Sequence, residues 1–145
     1  MNVALSPKEI RQFIDEWFLK LDAHAPVNEV LPLVADKELV MQLPETTVRG
    51  HEEFKQWYSG VAAKFFDEVH SIKALRITPQ EHTARVEMVL LWECSTWNPP
   101  NAESKRSGYY AAQTWKLKRS PNTYKPFIAT YTVDYFIPMP ESDEL

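Results

Sequence analysis

The chain has 145 residues, 44% of them hydrophobic and 25% charged, with a formal net charge of −4; this is the profile of a globular unit long enough to bury a substantial core. Its 16 lysines and arginines form no basic stripe and are outnumbered by 20 acidic residues, which argues against nucleic-acid binding. A single cysteine, Cys94, excludes an internal disulfide and fits a reducing cytoplasm, and 3 glycines against 11 prolines leave no GxxxxGK or GxGxxG phosphate loop.

Met1–Pro7 lacks the charged-then-apolar run of a signal peptide, and no apolar stretch is long enough to cross a bilayer. Ser6-Pro7-Lys8-Glu9 predicts a helix start, with Ser as N-cap, Pro at the first position and Glu at the third. Ile10, Phe13, Ile14, Trp17, Phe18 and Leu21 then form one apolar stripe at helical spacing. Pro26 ends that helix, and a short second helix is expected over Val27–Ala35, limited by Pro32. Leu39–Leu43 reads as a strand closed by Pro44, and Thr46–Gly50 as a short extended piece or turn. A third helix from about His51 to Phe66 places Phe54, Trp57, Tyr58, Val61, Ala62 and Phe65 on its buried face.

Strands follow to the end of the chain. Val69–Ile77 alternates with a slip between Lys73 and Arg76, as a bulge produces. Pro79–Glu81 turns into the strand His82–Trp97; Val86–Trp97 within it and Tyr109–Leu117 alternate strictly, which marks long strands with one covered face. The connector Asn98–Arg106 is polar, and Pro126–Ile137 is the last strand. Residues 1–140 are read as one domain and 141–145 as an acidic tail, although Ser142–Leu145 faintly echoes an endoplasmic-reticulum retention tag. Helices first and meandering strands after predict an α+β domain: three N-terminal helices packed on a strongly curved, mostly antiparallel sheet. Parity allows the two alternating strands a register pairing Met88 with Trp115, Leu90 with Gln113 and Trp92 with Ala111, with Glu87 opposite Lys116. It also gathers Val89, Leu91, Tyr110 and Ala112 on an outer patch too apolar for plain exposure, so a homodimer through that face is expected.

The order helix, short helix, strand, turn, helix and four antiparallel strands resembles the nuclear transport factor 2-like superfamily, which includes ketosteroid isomerase-like and SnoaL-like polyketide cyclase proteins. The resemblance spans nearly the whole chain. It is carried by Pro44…Val48-Arg49-Gly50 leading into Glu53-Phe54…Trp57-Tyr58, and by Ile128…Tyr131…Asp134-Tyr135-Phe136. It implies a sheet curled into a cone around a pocket closed by the first helix, with the outer face forming a dimer. The isomerases carry a carboxylate base on the first strand just before a proline. Here Gln42 and Leu43 precede Pro44, so that mechanism is not expected. Nor do the central strands supply the inward Arg–Asp pair of the epoxide hydrolases of this fold.

Candidate site residues come from the polar members of apolar faces. His24 continues the stripe of the first helix; it is an acid or base at the cone's mouth or, the favoured reading, a helix-ending histidine on free carbonyls. His70, in step with Ile72, is either a cavity-facing proton-transfer group or a core histidine with a local partner. Asp134 is an acid–base candidate if it points inward and a surface charge or dimer contact if outward. Trp17, Trp57, Tyr58, Trp92, Gln113, Trp115 and Tyr131 are the expected ligand-binding set, with Gln113 or Tyr58 holding a carbonyl oxygen. Cys94 reads as an inert buried thiol. Metal binding is not expected, because His24, His51, His70 and His82 show no HxH or HExxH spacing. Lys116, Lys118, Arg119 and Lys125 read as a solvated strand end.

These residues suggest a pocket for a hydrophobic, ring-containing small molecule, with isomerisation, dehydration or cyclisation by proton transfer as the fitting cofactor-free chemistry. The alternatives are a non-catalytic ligand-binding or dimeric assembly module, and a domain whose aromatic filling leaves no cavity.

Overall fold

The computed structural model describes residues 3–142; Met1, Asn2 and the last three positions of the expected tail, 143–145, lie outside them. Helix α1 (Pro7–Asp22) begins with the expected capping box: Ser6 Oγ accepts from the Glu9 amide at 3.1 Å. Ile10, Phe13, Ile14, Trp17 and Phe18 bury one face of it, each contributing about 1.5–3 kcal/mol in removing its side chain from water. The helix ends in a Schellman arrangement, with Ala25 N donating to Lys20 O at 3.0 Å and His24 N to Leu21 O at 3.1 Å. His24 therefore occupies the left-handed position, φ +51°, that glycine usually fills. The conformation costs a non-glycine residue about 1 kcal/mol.

The second helical segment is shorter than expected: α2 (Val27–Val30) passes into a 3₁₀ turn at Leu31–Leu33, because Pro32 supplies no amide for a further α turn. Strands β1 (Val40–Gln42) and β2 (Thr47–Arg49) precede α3 (Gly50–Lys64). Gly50 has φ +75° at the strand-to-helix corner, and Asp36 Oδ1 accepts from the His51 amide at 3.0 Å. Four long strands complete the chain: β3 (Phe66–Pro79), β4 (Thr83–Thr96), β5 (Lys105–Arg119) and β6 (Pro126–Pro138). The sheet order is β2-β1-β6-β5-β4-β3, antiparallel except where β1 runs parallel to β6. It is an α+β fold with the helices on the concave side of a curled sheet.

Bulges make the curl. On β3 one extra residue lies between Phe66 and Val69, where Asp67 has φ +48°, and another, Lys73, between Ile72 and Ala74. On β6 the extra residues are Ala129 and Asp134. Each extra residue flips the parity of the later residues of its strand and bends the strand there. That is why Ile128, Tyr131, Val133 and Phe136 all face inward, although their numbers do not share a parity.

The β4–β5 register corrects the expected one by two residues. Met88 lies opposite Gln113, Leu90 opposite Ala111, Trp92 opposite Tyr109, and Glu87 opposite Thr114 rather than Lys116. Parity restricts a register to every second value; the connecting loop selects among those values. Here the loop between Thr96 and Lys105 is fixed by Asn101 N donating to Asn98 O at 3.0 Å and by Trp97 Nε1 donating to Asn101 O at 2.7 Å. Lys116 consequently faces Arg85, which turns instead to Glu87 at 3.2 Å. Ser142, in the segment read as tail, accepts from the Gly108 amide at 2.9 Å.

Candidate functional site

The inner face divides into a plugged end and a chamber. At the plugged end, Phe13, Trp17 and Phe18 of α1 pack on Trp115. Trp17 lies 6.0 Å from Trp115 and 5.9 Å from Tyr131, and Trp115 stacks on Tyr131 at 5.2 Å between ring centres. Trp17 and Trp115, both expected to line a pocket, are packing residues here. Beyond the plug a cavity of about 470 Å³ lies between α3 and the sheet, within the size range of small-molecule sites. Trp57, Tyr58, Val61 and Phe65 wall it from the helix side; Leu90, Trp92, Ala111, Gln113, Tyr131, Val133 and Phe136 wall it from the sheet; His24, Glu45, Lys64, Glu68 and His70 supply ionisable groups.

His70 is held on both faces and at its edge. Its ring stacks on Phe18 at 4.8 Å and lies near-parallel to Trp92 at 6.1 Å. Nδ1 lies 2.5 Å from Asp22 Oδ1, and the His70 amide donates to Asp22 Oδ2 at 3.0 Å. A carboxylate at Nδ1 assigns the proton to that nitrogen and leaves Nε2 as the basic atom of the neutral ring.

Glu68, two residues earlier on the same face of β3, is a buried carboxylate with both oxygens engaged. Oε1 accepts from Trp92 Nε1 at 3.0 Å and Oε2 bonds to His24 Nε2. Neither Glu68 nor Asp22 was among the expected site residues. Glu68 was legible in principle, since it alternates in phase with His70 and Ile72. Asp22 was not: only the docking of the end of α1 against β3 brings it to His70.

The expected carbonyl holders are otherwise engaged. Gln113 Oε1 accepts from Trp115 Nε1 at 3.0 Å, and Tyr58 donates its hydroxyl to Ala25 O at 2.5 Å. Burial, then the nearby Glu68 and Glu29 carboxylates, raises the Tyr58 pKa, and burial pushes that of Tyr131 far above the phenol range. Burial, with Glu68 adding to it, lifts the Cys94 thiol to about 12. Asp134 is one of the two bulged residues of β6; it is exposed on the outer face, where it accepts from Thr114 Oγ1 at 2.7 Å. The condition for its acid–base role, an inward side chain, is not met. Among the described residues no group of His, Cys, Asp and Glu has metal-site geometry, and no helix is long and apolar enough to cross a membrane.

No family model matches the sequence, and no curated protein does. The structure is similar to several solved ones. One is a candidate scytalone dehydratase from Novosphingobium aromaticivorans (TM-score 0.75, 14% identity, 95% of this chain and 94% of that one). Another is a candidate dehydratase of the NTF2-like family from Streptomyces avermitilis (TM-score 0.74, 12% identity, 88% and 96%). A third is an NTF2-like superfamily protein from Salmonella enterica (TM-score 0.72, 14% identity, 94% and 92%). At these identities the likeness is one of fold: the chain has the nuclear transport factor 2-like fold.

Proposed function

We propose that the chamber binds a hydrophobic, ring-containing molecule and that His70, oriented by Asp22, moves a proton on it without a cofactor, in an isomerisation, dehydration or cyclisation. The observation that carries this reading is that His70, paired with Asp22, lines a cavity walled largely by aromatic and aliphatic side chains. A carboxylate behind an imidazole fixes its tautomer and stabilises the imidazolium formed when Nε2 takes a proton. The dehydratase names of two structural neighbours support the reaction class.

The test is α-proton exchange of 2-tetralone, a two-ring ketone of suitable size, followed by NMR in D2O. The wild type is expected to exchange above the protein-free background, and His70→Ala to lose that exchange while keeping the native fold, read by circular dichroism. Full exchange in His70→Ala removes His70 from the mechanism.

A second reading concerns assembly. The outer face carries the exposed Tyr110, Tyr135 and Ile137 beside Val89, Leu91 and Ala112. A homodimer through this face accounts for an apolar patch that water would otherwise cover. The single buried thiol, Cys94, is consistent with a cytoplasmic location.

A further inference from the structure

Where the chamber meets the plug, its wall is rich in hydrogen-bond donors and poor in acceptors. Gln113 and Tyr131 line the chamber there. Trp115 lies opposite Tyr131 in the β5–β6 pairing and Gln113 opposite Val133, so Gln113 and Tyr131 are diagonal neighbours on one face, within reach of long side chains. An indole N–H can only donate, so the bond from Trp115 Nε1 to Gln113 Oε1 at 3.0 Å fixes which way the amide points. That bond occupies only the oxygen and turns Nε2 away from Trp115. Hydrogen bonding from Gln113 to the Tyr131 hydroxyl partly offsets the effect of burial on it. The Trp17 N–H faces the same hydroxyl without reaching good hydrogen-bond geometry.

We infer that Gln113 Nε2 and the Tyr131 hydroxyl form a subsite for an acceptor oxygen, and that the chamber's ligand is accordingly a ring ketone rather than a ring hydrocarbon. The inference rests on the ligand-binding part of the reading above and is independent of proton transfer by His70. His70 lines the chamber from β3, whereas Gln113 and Tyr131 line it from β5 and β6. The ligand's oxygen and its mobile proton are thus addressed by separate groups.

An inventory of the cluster gives the ligand its polarity. Trp17 and Trp115 each bring a donor and no acceptor, Tyr131 brings a donor and an acceptor, and Gln113 brings an NH2 group and one oxygen. Even with each oxygen accepting twice, a donor hydrogen is left over. Burial keeps the Tyr131 phenol protonated, so it remains a donor. A buried donor without an acceptor is costly, and the surplus lies beside the cavity rather than within the packed plug. Water accepts but brings hydrogens of its own; a ketone oxygen accepts and adds none. Satisfying Trp115 uses only the oxygen of Gln113, so the amide hydrogens need a partner of their own.

Tyr131→Phe tests the inference, since it removes the hydroxyl and keeps the ring that stacks on Trp115. The probes are 2-tetralone and tetralin, its oxygen-free counterpart, titrated into ¹⁵N-labelled protein and followed by NMR. Tyr131→Phe is expected to weaken 2-tetralone binding roughly 5-fold, the scale of one hydrogen bond, and to leave tetralin binding unchanged. In the wild type, where no substitution intervenes, the side-chain amide of Gln113 is expected to shift further with 2-tetralone than with tetralin. Equal effects of Tyr131→Phe on the two ligands, or a Gln113 amide that does not tell them apart, overturn the subsite and leave His70 in place. Ketone selectivity without α-proton exchange supports the subsite and overturns the role of His70. Binding of neither compound to the wild type overturns the chamber reading and the subsite together.

Discussion

The imidazole of His70 is tied to Asp22 at two points, Nδ1 to Oδ1 at 2.5 Å and backbone amide to Oδ2 at 3.0 Å. A single carboxylate thus fixes both the strand and the ring that it carries. Asp22 closes helix α1, and α1 plugs the cone, so the orientation of the proposed base depends on the packing of the plug. Trp115 lies at the centre of that packing.

Trp115→Ala is expected to destabilise the fold by about 3–5 kcal/mol, as large-to-small changes in filled cores do. In the ligand-free protein it should also loosen the His70–Asp22 contact, since Phe18 touches both Trp115 and His70. Denaturant melts give the first quantity. The ¹⁵N shifts of the His70 ring report the second, and an unchanged His70 spectrum would show that the plug and the base are independent.

Asp22→Asn removes the negative charge behind His70 but keeps the shape of the side chain. Exchange of 2-tetralone should fall by roughly 10²-fold or more, because an amide can hold the wrong tautomer of the ring. Retention of the wild-type rate would indicate that Asp22 only anchors the strand.

Arg119 clamps the N-terminal segment to the sheet end. Its Nη atoms bond both Glu9 oxygens at 2.8 Å, and its Nε donates to Val3 O at 2.9 Å. Hydrogen bonding from Arg119 holds the Glu9 pKa below its ordinary value of 4.5, against a smaller effect of burial. A depressed carboxylate pKa contributes stability that is complete above 4.5 and fades as pH falls through the lower folded-state value. The melting-temperature gap between the wild type and Arg119→Met should therefore be steady near neutrality and shrink in acid. A gap that widened on acidification would contradict this sign.

Cys94, with its thiol lifted to about 12 by burial, should resist thiol reagents at pH 8 in the native state and react on unfolding. Ellman's reagent with and without guanidinium distinguishes the two. Rapid native labelling would place Cys94 in contact with solvent.

On the outer face Leu91, Tyr110 and Ile137 lie in one row across β4, β5 and β6. Leu91→Arg is expected to convert the proposed dimer to monomer, read by light scattering after gel filtration, without disturbing the chamber on the other face. A wild type already monomeric at high concentration would overturn the dimer.

The chain itself determined a good deal. The capping box at Ser6, the apolar stripe of α1, the strict alternation of β4 and β5 and the inward phase of His70 are local patterns. Each is set by backbone geometry within a few residues, so each could be read before any contact was known. Tertiary structure decided which alternating face a residue joined after a bulge, and which residues met across long stretches of chain. The extra residues at Ala129 and Asp134 resolved the mixed parity of β6 and sent Asp134 outward. The β4–β5 loop shifted the register by two, moving Gln113 from Leu90 to Met88. Trp17 and Trp115 went to the plug because α1 lies over that end of the sheet, and Asp22 reached His70 for the same reason. Period and propensity act within an element; a partnership spanning forty-eight residues, such as Asp22 with His70, is made only by the packing of one element on another.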